Sequence, residues 1–459
     1  SDFFDAELEM DEALTDPVTK INVPCGAMKM LNGYQEVRCW GMDIPALGYK
    51  FYAIRKGKVP SGEILAADSA NATFENQYFK LQIEPVTGAV AHLVDKSSNL
   101  DLVNSDSGYR LNEYLYVSGG EPGDFFPESV KDNRILAADV TLPLPQLEIH
   151  RATLTNSLQA RRFPWGIEIT IHSTSQNTPG LYSTITLTDF KKQVNFDNEV
   201  QKTSTLRKEG IYFAFPFALQ KPRMKYQGAT AWVNPETDML PGANLQWFTT
   251  QGAVWAESVE NRVAWATADA PLITLQDINR GLWPESIQIR NGTVFSYAMN
   301  NYWYTDAPAQ QGGNFQFRYA LTSGTNITST QAVTLSAEQR SPLIAIRRYN
   351  MGWKPTLPAN GAGFVSASPA GVTVLTIRAI EDSDEFLVCV QNLTPKELQA
   401  EVQLPMFELE DAYLGSHIGD KLGTVEWTSH SVALPLNAYE IKSVVIRVKQ
   451  NDDLRETSK

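Results

Sequence analysis

Side chains in this chain alternate over long stretches, the period of strands, and helical spacing is almost absent. The pattern is clearest at Tyr78 to Ile83, where Tyr, Phe, Lys, Leu, Gln and Ile alternate. A turn of Glu84-Pro85-Val86-Thr87-Gly88 follows, and Val90 to Val94 returns. Pro85 sets φ for such a turn and Gly88 can take φ > 0 to close it. Gly166 to His172, Leu181 to Leu187, Gly210 to Phe217 and Asn314 to Thr322 repeat the period, with Gly210 to Phe217 dense enough in aromatics to be buried. Strands that follow one another without intervening helices argue for a large antiparallel sandwich, not βαβ units.

A chain of 459 residues exceeds what one core usually holds, so two or three domains are expected. The stretch 1–65 reads as an N-terminal connector and small β domain. Its acidic start, with Asp5, Glu7, Glu9, Asp11 and Glu12, is expected to be a connecting segment or a short helix, and Lys56 to Glu63 a linker. Residues 66–335 form the large super-sandwich. Pro342, Gly352 and Pro355 mark 336–362 as a linker, and 363–459 is a C-terminal β-sandwich with a charged tail.

Charge excludes one class of partner. Lys plus Arg is 39 against 52 for Asp plus Glu, a net charge of −13 with no basic stripe, which repels nucleic acid. No apolar run reaches the roughly 20 residues that cross a bilayer, and the start has no signal-peptide pattern. A chain opening on Ser1 is expected to have been processed or cut from a longer one. Cys25, Cys39 and Cys389 cannot all pair with one another and form no C-x-x-C, so buried or half-buried thiols are expected.

Catalytic equipment is sparse. His92 precedes Asp95, and His417 precedes Asp420, by an odd spacing that puts the members of each pair on opposite faces of a strand. No H-E-x-x-H, G-x-S-x-G or glycine-rich phosphate loop is present. The run Glu381 to Glu385 could suggest calcium but lacks spaced ligands, and reads as a solvated hairpin turn. Two segments stand apart. Leu111 to Gly120 ends in a double glycine, and Phe295 to Tyr304 sets Asn300 and Asn301 among aromatics. Such residues at strand ends suit sugar sites, where rings pack on C–H faces and amides bond hydroxyls. A core aromatic cluster with a hairpin loop is the other reading.

These same segments resemble glycoside hydrolase family 38, the retaining α-mannosidases, in its C-terminal β region. The likeness runs through Phe74 to Leu81, Pro85 to Gly88, Leu93 to Lys96, Leu111 to Gly120, Gly210 to Phe217, Leu240 to Ala243, Met299 to Trp303 and Phe317 to Tyr319. It continues from Val372 to the Tyr439-Glu440-Ile441 strand. The resemblance implies an all-β chain, a galactose mutarotase-like super-sandwich flanked by smaller β-sandwich domains. It also implies that zinc and the aspartate nucleophile belong to an N-terminal barrel of the same polypeptide, so that this chain needs no cofactor of its own and is inactive when isolated. An α-mannoside or related oligosaccharide is the implied ligand. Tyr114 and Arg280 are the implied sugar contacts, followed by Asn301 and Trp303. Two alternatives stay open: a stand-alone carbohydrate-binding protein, or a mutarotase- or lyase-like enzyme pairing Tyr114 with Arg280.

Overall fold

The computed structural model describes residues 2–65, 72–119, 147–280, 284–301, 310–348, 357–358, 360–381 and 383–449. It is all-β, with one α-helix among the described residues and every sheet antiparallel. Two sheets dominate. The larger has ten strands in the order Trp232–Val233, Arg223–Gln227, Ala253–Glu257, Arg262–Thr267, Gly313–Gly324, Val194–Lys202, Thr178–Thr188, Gly166–Ser175, Thr153–Phe163 and Glu63–Leu65. The smaller has six, ordered Leu147–Arg151, Glu113–Gly119, Glu209–Phe217, Gly292–Asn300, Leu272–Leu275 and Phe248–Thr249.

The two sheets pack face to face over Phe196, Phe213, Phe215, Trp265 and Tyr319, all buried. Strand Glu209–Phe217 is central to its sheet and buried at every position, which is why its sequence shows an aromatic run and not an in–out alternation. The hairpin read at Tyr78 to Val94 is present as Phe79–Ile83 paired with Val90–Asp95. Gly88 takes φ 77° there, and the Glu84 carboxylate accepts from Thr87 N at 2.6 Å, closing the turn.

Three expectations need correction. The acidic start is neither a connector nor a helix: Phe3–Glu9 is a strand paired with Tyr34–Trp40. Its acids Asp5, Glu7 and Glu9 face outward while Phe4 and Leu8 are buried, so the charges disguised an ordinary alternation. The thiol reading fails for two cysteines, because Cys25 and Cys39 form a disulfide. They sit directly opposite one another in the Cys25–Met30 and Tyr34–Trp40 hairpin, a pairing that depends on register and not on a short motif. Cys389 is a buried free thiol. Exchanging both Cys25 and Cys39 for serine is expected to cost about 3 kcal/mol, from the unfolded-chain entropy a loop of this size restrains. Thermal melts with and without reductant check it: an unchanged melt under full reduction would contradict the estimate.

The third correction is the helix, Ser329–Arg340, in place of the end of the large sheet and the start of a linker. Thr328 and Gln331 form a capping box at its start. Ala332, Val333 and Leu335 pack on Ala253, Ala264, Ala266 and Ala320, small side chains on the outer face of the ten-stranded sheet that let the helix come close. At Gly252, φ 128°, a Cβ would lie 2.2 Å from Ser336 Oγ.

Beyond the helix, a four-stranded and a five-stranded sheet enclose a core that includes Val388, Val390, Val402, Val432 and Val444. The acidic run falls in the turn before strand Glu385–Asn392. There Glu381 and Asp384 are exposed, while Glu385 accepts from Tyr413 Oη at 2.9 Å and Arg447 Nη2 at 2.6 Å. No helix among the described residues is long and apolar enough to cross a membrane.

Candidate functional site

Parity along the strands of the six-stranded sheet sorts the candidate residues. Tyr114 pairs with Phe213, and Phe213 with Ser296. Ser296 Oγ accepts from Tyr319 Oη of the ten-stranded sheet at 2.9 Å, so this face looks into the sandwich. Glu113, Ala214 and Phe295 form the next register row and look outward. The inner face is closed off by the core, its buried Lys202–Glu209 ion pair included, so the polar groups a solute can reach lie on the outer face.

Glu113 is the centre of it. Its side chain is 0% exposed and ion-paired to Arg151, and it accepts from Arg110 N at 2.7 Å. Burial holds its carboxyl above the ordinary range, with the Arg151 charge pulling the other way. Arg151 also donates from Nη2 to Gly108 O at 2.8 Å, and its guanidinium lies 5.2 Å from the Tyr109 ring centroid. Tyr109 is half-buried and meets Phe295 edge-on at 5.0 Å. Beside it Tyr212 stacks on Tyr297 at 4.3 Å, and burial pushes the Tyr297 hydroxyl up to about 12.

Arg280 completes the group. The turn before it, with Gln276 at φ 69°, is tied by Thr274 Oγ1 to Asp277 O at 2.7 Å. Asp277 accepts from Ile278 N at 2.8 Å and from Arg280 at two points, Nε to Oδ2 at 2.7 Å and Nη2 to Oδ1 at 3.3 Å. The Arg280 and Asp277 side chains are 32% and 52% exposed, so a solute can reach them. Burial raises the Tyr109 hydroxyl above its ordinary value. Four charges also act on it: Asp277 and Glu113 raise it, Arg280 and Arg151 lower it. Fixed donors, fixed acceptors and ring faces are what a polyol needs to be oriented.

The remaining candidates lie elsewhere. Tyr114 is buried, its hydroxyl 2.6 Å from Thr178 Oγ1, on the face opposite Arg280, so the two are not brought together. Asn301 is buried at the end of its strand, its Nδ2 donating to Arg207 O at 3.1 Å and its N to Glu209 O at 2.9 Å, which ties down the approach to strand Glu209–Phe217. Trp303 lies outside the described residues. Tyr109, Glu113, Arg151 and Asp277 were not anticipated. Glu113 falls within Leu111 to Gly120 and Asp277 three residues before Arg280, while Arg151 meets Glu113 only through strand pairing. His92 and Asp95 point to opposite faces, His92 bonding Asp101 at 2.6 Å and Asp95 fully buried. The zinc implied by the resemblance finds no donor set here: among the described residues, no group of three or more His, Cys, Asp or Glu is placed to hold a metal ion.

A cleft of about 2060 Å³ opens between the N-terminal strands, the helix and the C-terminal sheets. Of its charged groups, Lys191 pairs with Asp2 at 3.2 Å and with Glu338, and Arg347 with Glu12 at 3.0 Å. Those charges are spent on holding the parts of the chain together.

No family model and no curated protein matches the chain. Two solved structures from Enterococcus faecalis do. One is an α-mannosidase, 14% identical with a TM-score of 0.68, covering 96% of this chain and 54% of that chain. The other is a protein in glycosyl hydrolase family 38, 13% identical with a TM-score of 0.67, covering 96% of this chain and 56% of that one. The likeness is one of fold. This chain spans about half the length of the structures it matches.

Proposed function

We propose that this chain is the all-β portion of an α-mannosidase-type glycoside hydrolase, and that the outer face of its six-stranded sheet lines a sugar site. The observation that carries the reading is the set of Tyr109, Arg151, Glu113, Asp277 and Arg280: two guanidiniums and two carboxylates about one partly open phenol. The open Arg280–Asp277 pair offers both donors and acceptors, and a sugar ring presents both along its edge. Tyr109 supplies an apolar face for C–H groups. These residues bind and orient an α-mannoside or a related oligosaccharide. Zinc and the aspartate nucleophile, in the family it resembles, come from the N-terminal barrel of the same polypeptide, which is the partner this portion supports.

The isolated chain is therefore expected to bind α-mannooligosaccharides and to release no phenol from an aryl α-mannoside, with or without added zinc. Robust turnover would defeat the reading. Arg280→Ala and Tyr109→Ala are each expected to weaken oligosaccharide binding about tenfold, or about 1.4 kcal/mol, in calorimetric titrations. Affinity unchanged in both would move the sugar off this face.

A further inference from the structure

Beyond locating a sugar, this face carries a device for choosing among sugars. A guanidinium grips a carboxylate, phosphate or sulfate through two parallel N–H groups, and an exposed arginine with that fork free selects anions. On this face each of these two arginines already has a carboxylate on one edge of its fork. Asp277 takes Nε and Nη2 of Arg280, at 2.7 and 3.3 Å. Glu113, fully buried, takes Nη1 of Arg151, and Gly108 O takes its Nη2 at 2.8 Å. Arg110 adds its charge on the Glu113 side and donates from Nη1 to Tyr109 O at 3.1 Å.

We infer that Asp277 is the specificity-determining residue of this face: by occupying the fork of Arg280 it makes the site select neutral over acidic glycans. The inference rests on the reading of the face as a sugar site. Its logic is that of rejection. An acidic sugar must either displace Asp277 from Arg280 or bring its own negative charge beside the carboxylate that Arg280 already holds, and both are costly. A neutral sugar does neither, since its hydroxyls bond to the outer edges of ion pairs that stay intact. Glu113 cannot be the adjustable member, because its side chain has no exposure and its loss would strand Arg151. Asp277, at 52% exposed, can change without disturbing packing. An asparagine there still accepts from Ile278 N while losing the charge that holds Arg280.

The test titrates the full chain, wild type and Asp277→Asn, with a neutral mannooligosaccharide and with an oligogalacturonate of the same length. The wild type is expected to bind the neutral sugar at least about tenfold more tightly than the acidic one. Asp277→Asn is expected to shift that ratio about tenfold towards the acidic sugar, a gain that fades as salt is added and vanishes in Asp277→Asn/Arg280→Gln. Equal binding of the two sugars by the wild type, or an unmoved ratio in Asp277→Asn, overturns the inference while leaving the sugar site standing. Binding of neither sugar by the wild type overturns the sugar site itself, and the inference with it. Matching thermal melts of the variants are expected, and a large fall in the Asp277→Asn melt would show instead that Asp277 holds the fold.

Discussion

Trp265→Ala should destabilise the large sandwich by about 4 kcal/mol, the usual cost of truncating a fully enclosed aromatic in a core that cannot collapse around the space. Trp265 is 0% exposed, stacked at 5.6 Å on Tyr319 and 5.2 Å from Phe215, so its ring joins the two large sheets. Trp265→Phe should cost far less than its area suggests. The indole N–H is buried without a hydrogen-bond partner among the described residues, and an unpaired buried donor carries a penalty of about 1–3 kcal/mol that phenylalanine removes. Denaturant midpoints of the two variants check both statements. A Trp265→Ala midpoint within about 1 kcal/mol of wild type would mean the sheets are not locked together there.

Asp95→Ala should cost about 3 kcal/mol, for a different reason. The Asp95 side chain is 0% exposed and accepts from Lys192 Nζ at 2.7 Å, Ser323 Oγ at 2.6 Å and Ser97 Oγ at 2.7 Å, binding the opening hairpin to the ten-stranded sheet. Burial opposes its ionisation, but the hydrogen bonds from Lys192, Ser323 and Ser97 together outweigh burial and hold its carboxyl below the ordinary value. The sign follows. A depressed carboxyl contributes stability that is complete above the ordinary pKa of about 4 and is lost as pH falls through the folded value. The deficit of Asp95→Ala should thus be full at neutral pH and shrink in acid. A deficit that grew on acidification would contradict the assignment.

How much of this could be read beforehand depends on how far apart the interacting residues lie. The hairpin around Glu84 to Gly88 was legible because Pro85 and Gly88 act on their own backbone. The burial of Glu209–Phe217 was legible from its aromatic density. The helix was missed although Thr328 and Gln331 spell its cap, because its buried residues, Ala332, Val333, Leu335, Ser336 and Gln339, mix apolar with polar and form no apolar stripe. The disulfide was missed because Cys25 and Cys39 meet through hairpin register. Tyr114 shows the limit of parity. Strand reasoning puts Tyr114 and Tyr116 on one face and Glu113, Leu115 and Val117 on the other, but both sets are largely apolar. Only packing against the ten-stranded sheet tells which face is inside. Arg151 is the extreme case, since nothing near it in sequence announces Glu113. That ion pair exists because strand Leu147–Arg151 returns alongside Glu113–Gly119.

The most direct trial of a sugar site on the outer face is a crystal of this chain soaked in an α-mannooligosaccharide. The account expects electron density for a sugar ring against Tyr109, with hydroxyls within hydrogen-bonding reach of Arg280 and Asp277. A ring bound only at some other surface, with Tyr109 and Arg280 left as they stand, would contradict it.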